Sequence, residues 1–179
     1  ACGGQEPRPN PNLLPVDPQR ETFSVSVLHA VPDAAELTVV MDDKPLAQAL
    51  TYRSVVSVQR VTAGTHRLEL RASTNGEALW KGHVMAQAGD RILLGAYGRA
   101  NEGSNSTSPT KLQVFAERVG LAPAGQLRVL HGSPGLPTVT LRSLDLTSIR
   151  VPALRFGEHS RYVDLPPRAT NPLRLGVTA

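Results

Sequence analysis

Val25-Ser26-Val27-Leu28-His29-Ala30-Val31-Pro32-Asp33 has a second copy in the same chain, Leu127-Arg128-Val129-Leu130-His131-Gly132-Ser133-Pro134-Gly135. In both, a strand-like run ends in Val-Leu-His, two residues intervene, and Pro follows. His29 and His131 are 102 positions apart. The resemblance between the copies continues downstream: Leu50-Thr51-Tyr52-Arg53-Ser54 lines up with Leu154-Arg155-Phe156-Gly157-Glu158 at an offset of 104, so two residues are inserted between the motifs in the second copy. A sequence that matches itself at a fixed spacing is one structural unit used more than once. The fold question therefore reduces to what one copy builds.

One copy builds strands. From Thr22 the period is two, with Phe23, Val25, Val27 and His29 on one face and Ser24, Ser26 and Leu28 on the other. Further strands are expected over Glu36 to Met41, Leu46 to Leu50, Ser54 to Val61, Thr65 to Ala72, Ala78 to Ala86, Arg91 to Tyr97 and Lys111 to Arg118. Turn residues punctuate them: Asp42-Asp43-Lys44-Pro45, where Pro should end strand pairing, Ala63-Gly64, Asn75-Gly76 and Ala88-Gly89-Asp90. Arg99 to Thr110, rich in Asn, Ser and Gly, reads as a mobile, solvent-facing loop. Short strands at regular spacing with no capped helical period predict an all-β fold, tandem immunoglobulin-like (Greek-key) β-sandwich units. The first unit is expected over residues 21–119, a linker over 120–125, and a second unit over 126–179. Leu173 and Leu175 align with Leu68 and Leu70, so the second unit is expected to be partial, its open edge inviting another chain.

Composition narrows the classes. Apolar residues make up 40% and charged residues 19%, which suits a globular protein. The formal charge of +4 comes from basic residues scattered singly, and only 4% of residues are aromatic. A nucleic-acid groove needs a basic stripe with stacking rings, so that partner is not expected. Residues 1–20 form a different segment. Cys2, the single cysteine, stands in Ala1-Cys2-Gly3-Gly4 like the acylated residue of a bacterial lipoprotein signal, and Pro7, Pro9, Pro11, Pro15 and Pro18 make an extended tether behind it. The expected location is the bacterial cell envelope, with Cys2 lipidated and the membrane reached through that lipid alone.

Val-Leu-His-Ala-x-Pro-Asp, the Asp-Asp-Lys turn, Leu-x-Tyr/Phe and Thr-Ala-Gly-Thr-His-Arg-Leu-Glu-Leu together resemble the DUF4397 domain. The likeness covers Phe23 to about Arg118 well and Gln126 to Ala179 in part, the second copy departing at Gly135 where the first has Asp33. The resemblance implies a secreted or envelope-attached bacterial β-sandwich, often in tandem, and implies no particular chemistry.

Chemistry could sit at the histidines. His29, His66, His83, His131 and His159 are candidate metal ligands, with copper the metal that suits imidazoles in an oxidising envelope. His29 and His66 share the apolar parity of their strands, His83 follows Trp80 on a neighbouring strand, and His131 repeats His29. Against this, no His-x-His pair occurs, and a histidine ending a core strand ordinarily serves only a hydrogen bond. Gly-x-Ser-x-Gly and phosphate-cradling loops are absent. Trp80, Tyr52 and Tyr97 could form a sugar-stacking platform. The function expected is therefore a structural or interaction module of a bacterial surface assembly, meeting other envelope or surface-layer proteins or a second copy of itself. A copper redox enzyme of superoxide dismutase type is the alternative, and carbohydrate binding a third option.

Overall fold

The computed structural model describes residues 21–101, 107–117, 125–145, 149–165 and 174–178. The lipidation site Cys2, the Pro-rich tether, most of the linker, Arg118 and Leu173 lie outside them. The described chain is all β. Its strands are β1 (Thr22–Ala30), β2 (Glu36–Met41), β3 (Lys44–Thr51), β4 (Val55–Thr62), β5 (Gly64–Ala72), β6 (Ala78–Ala86), β7 (Arg91–Tyr97), β8 (Lys111–Glu117), β9 (Gln126–Leu127), β10 (Val139–Ser143), β11 (Arg150–Leu154), β12 (Val163–Asp164) and β13 (Leu175–Thr178).

Two four-stranded sheets, ordered β4-β1-β7-β8 and β3-β2-β5-β6, form the first sandwich. The alternation seen in the sequence aims Phe23, Val25 and Val27 of β1 at Leu37 and Val39 of β2 and Leu68 and Leu70 of β5, all buried. Truncating one of these leucines to Ala would cost about 2–5 kcal/mol, because the lost transfer energy is joined by a cavity the sheets cannot close. Among the named strands every pairing is antiparallel except β1 with β7, whose register runs from Ser24↔Arg91 to Ala30↔Tyr97.

The second copy rebuilds half of this plan. Sheet β11-β10-β13 stands for β3-β2-β5, and the short β12-β9 ladder stands for β4-β1. Even an irregularity is copied. Leu37↔Leu50 and Val39↔Ala47 bracket a bulge in the first unit, and Val139↔Leu154 and Leu141↔Val151 bracket one at the aligned positions of the second. Val139, Val151 and Leu154 make a small core there.

Three expectations change. Pro45 does not end pairing: it lies inside β3, opposite Val40. β3 is an edge strand, where a missing amide donor costs no ladder bond. The described parts of the Arg99–Thr110 loop are tied down. The Asp33 carboxylate accepts from the Ala100 and Asn101 amides at 2.9 and 3.0 Å, and Ser108 and Thr110 are buried. Finally, Leu175 is the counterpart of Leu68. Ser143 pairs with Leu175 as Met41 pairs with Leu68, so the strand register lies two residues from the sequence alignment. A ladder follows hydrogen-bond partners, and Leu-x-Leu patterns look alike at any shift of two.

Candidate functional site: a cleft between the two copies

Each Val-Leu-His strand end is held by the turn that the second repeated motif makes. The His29 amide donates to the Ser54 carbonyl at 3.1 Å, and the His29 carbonyl accepts from the Arg53 amide at 2.8 Å. In the second copy the His131 amide donates to Glu158 at 2.9 Å, and its carbonyl accepts from Gly157 at 2.8 Å. The turns close identically, Ser54 to Thr51 and Glu158 to Arg155. Their third residues, Arg53 and Gly157, have φ of 69° and 82°. The aromatic between packs edge-on against the histidine, Tyr52 on His29 at 6.0 Å and Phe156 on His131 at 6.3 Å. The repeated residues are thus a structural clamp.

The second clamp sits against the first unit. β7 is apolar on both faces: Ile92, Leu94 and Ala96 enter the first core, while Leu93 and Tyr97 point the other way. The second copy covers this outer face. Tyr97 packs on Phe156 at 5.6 Å, Phe115 packs on His159 at 5.5 Å, and the Tyr162 hydroxyl donates to the Ala116 carbonyl at 3.4 Å. Gly157 is needed here for a second reason: a Cβ would lie 3.3 Å from the Tyr97 hydroxyl oxygen. Tyr97, buried and donating to Gln113 at 3.0 Å, has its phenol pKa raised by desolvation.

Between the copies lies a cleft of about 770 Å³. Its walls include equivalent residues of the two motifs, Leu28, Ala30 and Pro32 against Leu130, Gly132 and Pro134. Leu93, Phe115, Tyr52 and Tyr162 add apolar and aromatic surface, and Asp33, Arg99 and Arg128 are its charged groups. The Arg128 guanidinium carbon sits 4.0 Å from the Tyr162 ring centroid and 6.0 Å from that of Phe115. Its Nε is buried without a hydrogen-bond partner. Sequence reasoning missed this group. The available signal was that Arg128 replaces Ser26 at the aligned position of the first copy.

The five candidate histidines go to separate places. His29 is fully buried and its Nδ1 accepts from the Val31 amide at 3.1 Å; Nε2 is buried without a partner. Burial lowers its pKa, a backbone interaction with Ala34 opposing. His66 places Nδ1 2.6 Å from Asp42 Oδ2 and Nε2 2.8 Å from the Thr62 carbonyl. The hydrogen bond from His66 leads the causes holding the Asp42 carboxyl below its usual range. His83 pairs with Arg67 on the exposed outer face, three residues from Trp80 and hence on the opposite side of the strand from it. His131 Nε2 donates to the Pro137 carbonyl at 2.8 Å, and His159 Nδ1 lies 3.0 Å from the Ser160 carbonyl. Among the described residues no three His, Cys, Asp or Glu side chains gather to hold a metal ion. The aromatic trio is dispersed too: Tyr97 is buried, Trp80 lies over Gly82, whose Cβ would collide with the ring, and only Tyr52 is exposed.

Fold and cleft together define a class: an all-β sandwich protein whose first unit is covered by a half-copy of itself. Residues 23–127, more than half of the chain, match the family described as Domain of unknown function (DUF4397), and the chain belongs to that family. No curated protein and no solved structure matches it.

Proposed function

We propose that this protein is a lipid-anchored module of the bacterial cell envelope, acylated at Cys2, that works by assembling with other copies of itself and with neighbouring surface proteins. The observation that carries the reading is the apolar character of the strand edges. Val55 and Val56 on edge strand β4 are 60% and 38% exposed, Met85 on edge strand β6 is 77% exposed, and Val177 on edge strand β13 is 65% exposed. Edge strands offer unpaired amides and carbonyls, and monomers ordinarily protect them with charge. Apolar side chains beside open backbone favour strand-to-strand contact with a second chain.

Sedimentation equilibrium of the purified chain at tens of micromolar tests this. Association that is lost in Val56→Lys or Met85→Lys supports it; a monomer in every case removes it. Intact mass of the protein taken from its native cells tests the anchor separately, with an acylated Cys2 expected and an unmodified cysteine against it.

A further inference from the structure

Among the described residues two buried side-chain nitrogens lack a hydrogen-bond partner, His29 Nε2 and Arg128 Nε, and of the two residues Arg128 lines the cleft. It stands on the wall of a mostly apolar cleft, stacked on Tyr162, with its Nε desolvated and no hydrogen bond or ion pair to any described residue. An N–H held out of water without an acceptor is costly, and an acceptor brought into the cleft would offset that cost. The acid in the lining, Asp33, stands on the facing wall and is engaged elsewhere, its two oxygens accepting the backbone amides of Ala100 and Asn101. Arg99 adds a second cation to the lining. A cleft of about 770 Å³ falls in the size range of small-molecule sites.

We infer that the cleft between the two copies binds a small amphipathic carboxylate. The carboxylate would reach Arg128 through the planar, two-pronged geometry that guanidinium offers. The apolar body would lie along Leu28, Leu93, Phe115 and Leu130, between the two repeated motifs. Stacking on Tyr162 holds the guanidinium plane in place, so little side-chain freedom is lost on binding. The inference rests on the inter-copy cleft and not on strand-edge assembly, so either can fail while the other stands.

Titration calorimetry of the full chain with 4-phenylbutanoate and decanoate, each against its alcohol counterpart, is the test. Expected is saturable one-to-one binding of at least one carboxylate, at least about tenfold tighter than its alcohol and weakened by rising salt. Arg128→Gln should abolish the preference for carboxylate while leaving alcohol binding in place, and Arg128→Lys should restore only part of it. Binding of neither carboxylate, or equal affinity for acid and alcohol in the unaltered protein, overturns the inference whether or not the variants fold. So does a preference that survives in a folded Arg128→Gln.

Discussion

Arg53 and Gly157 occupy the same position of the same turn, and the chemistry of the two differs. Both have positive φ, which a side chain pays for and glycine does not. Arg53 recovers part of that cost by lying 5.2 Å over the Tyr52 ring. Arg53→Gly should therefore leave stability within about 0.5 kcal/mol of the parent, strain relief offsetting the lost stacking and greater unfolded-state freedom. Gly157→Ala adds a side chain at φ 82° against Tyr97 and should cost about 1–2 kcal/mol. Urea midpoints of the two variants check the contrast. His29 supplies a pH dependence. Burial depresses its pKa in the fold, whereas the unfolded chain titrates at the ordinary 6.5. As pH falls through 6.5 the unfolded state takes up the proton first, so stability is lost on acidification and is unaffected above that range. Asp42 and Glu69 act in the same direction at lower pH. His66 and Arg71 respectively, by hydrogen bonds, hold them below their ordinary 3.8 and 4.5, and that stabilisation is lost as pH falls through the folded values. Melting temperatures across this range should show the gap between parent and His29→Gln closing as pH drops below about 6.5; a gap independent of pH would contradict the assignment.

At the scale of elements, the β2–β3 hairpin turns on Asp42 and Asp43, with φ of 47° and 65°, the two-residue mirror-image turn that matches strand twist. Asp42 cannot be spared, since its Oδ1 accepts the Arg67 amide at 2.9 Å and Oδ2 faces His66. Asp43 contributes a surface ion pair with Arg67, the kind of contact that is worth little. Asp43→Gly should thus raise stability by a few tenths of a kcal/mol, and Asp42→Ala should lower it by about 1–3 kcal/mol, both readable from thermal unfolding. Most strands were legible because one face of each is apolar and turn residues bracket them. Pro45 misled because a sequence does not say whether a strand will lie at an edge. The Arg99–Thr110 loop misled because the carboxylate that anchors it, Asp33, is far away in sequence.

At the scale of the whole molecule, the second copy has too small a core to be judged apart from the first: its buried cluster is Val139, Val151 and Leu154. It gains the outer face of β7 and β8 through Phe156, His159 and Tyr162. Scanning calorimetry should show one transition for the parent protein. Phe156→Ala, which removes the edge-on contacts with both Tyr97 and His131, should lower stability by about 2 kcal/mol and split the transition in two. A single unshifted transition would mean the copies are not coupled through this ring. Residues alone were enough to establish an all-β chain and a repeated unit. They also marked the positions that repeat, because alternation and turn chemistry are local properties of sequence. Packing decided where the copies touch, that the repeated histidines serve as clamped strand ends, and that the Arg128 Nε lies unpaired in a mostly apolar cleft. Those outcomes depend on residues brought together from two sheets and two copies, and no periodicity along a chain encodes which outer face another unit will cover.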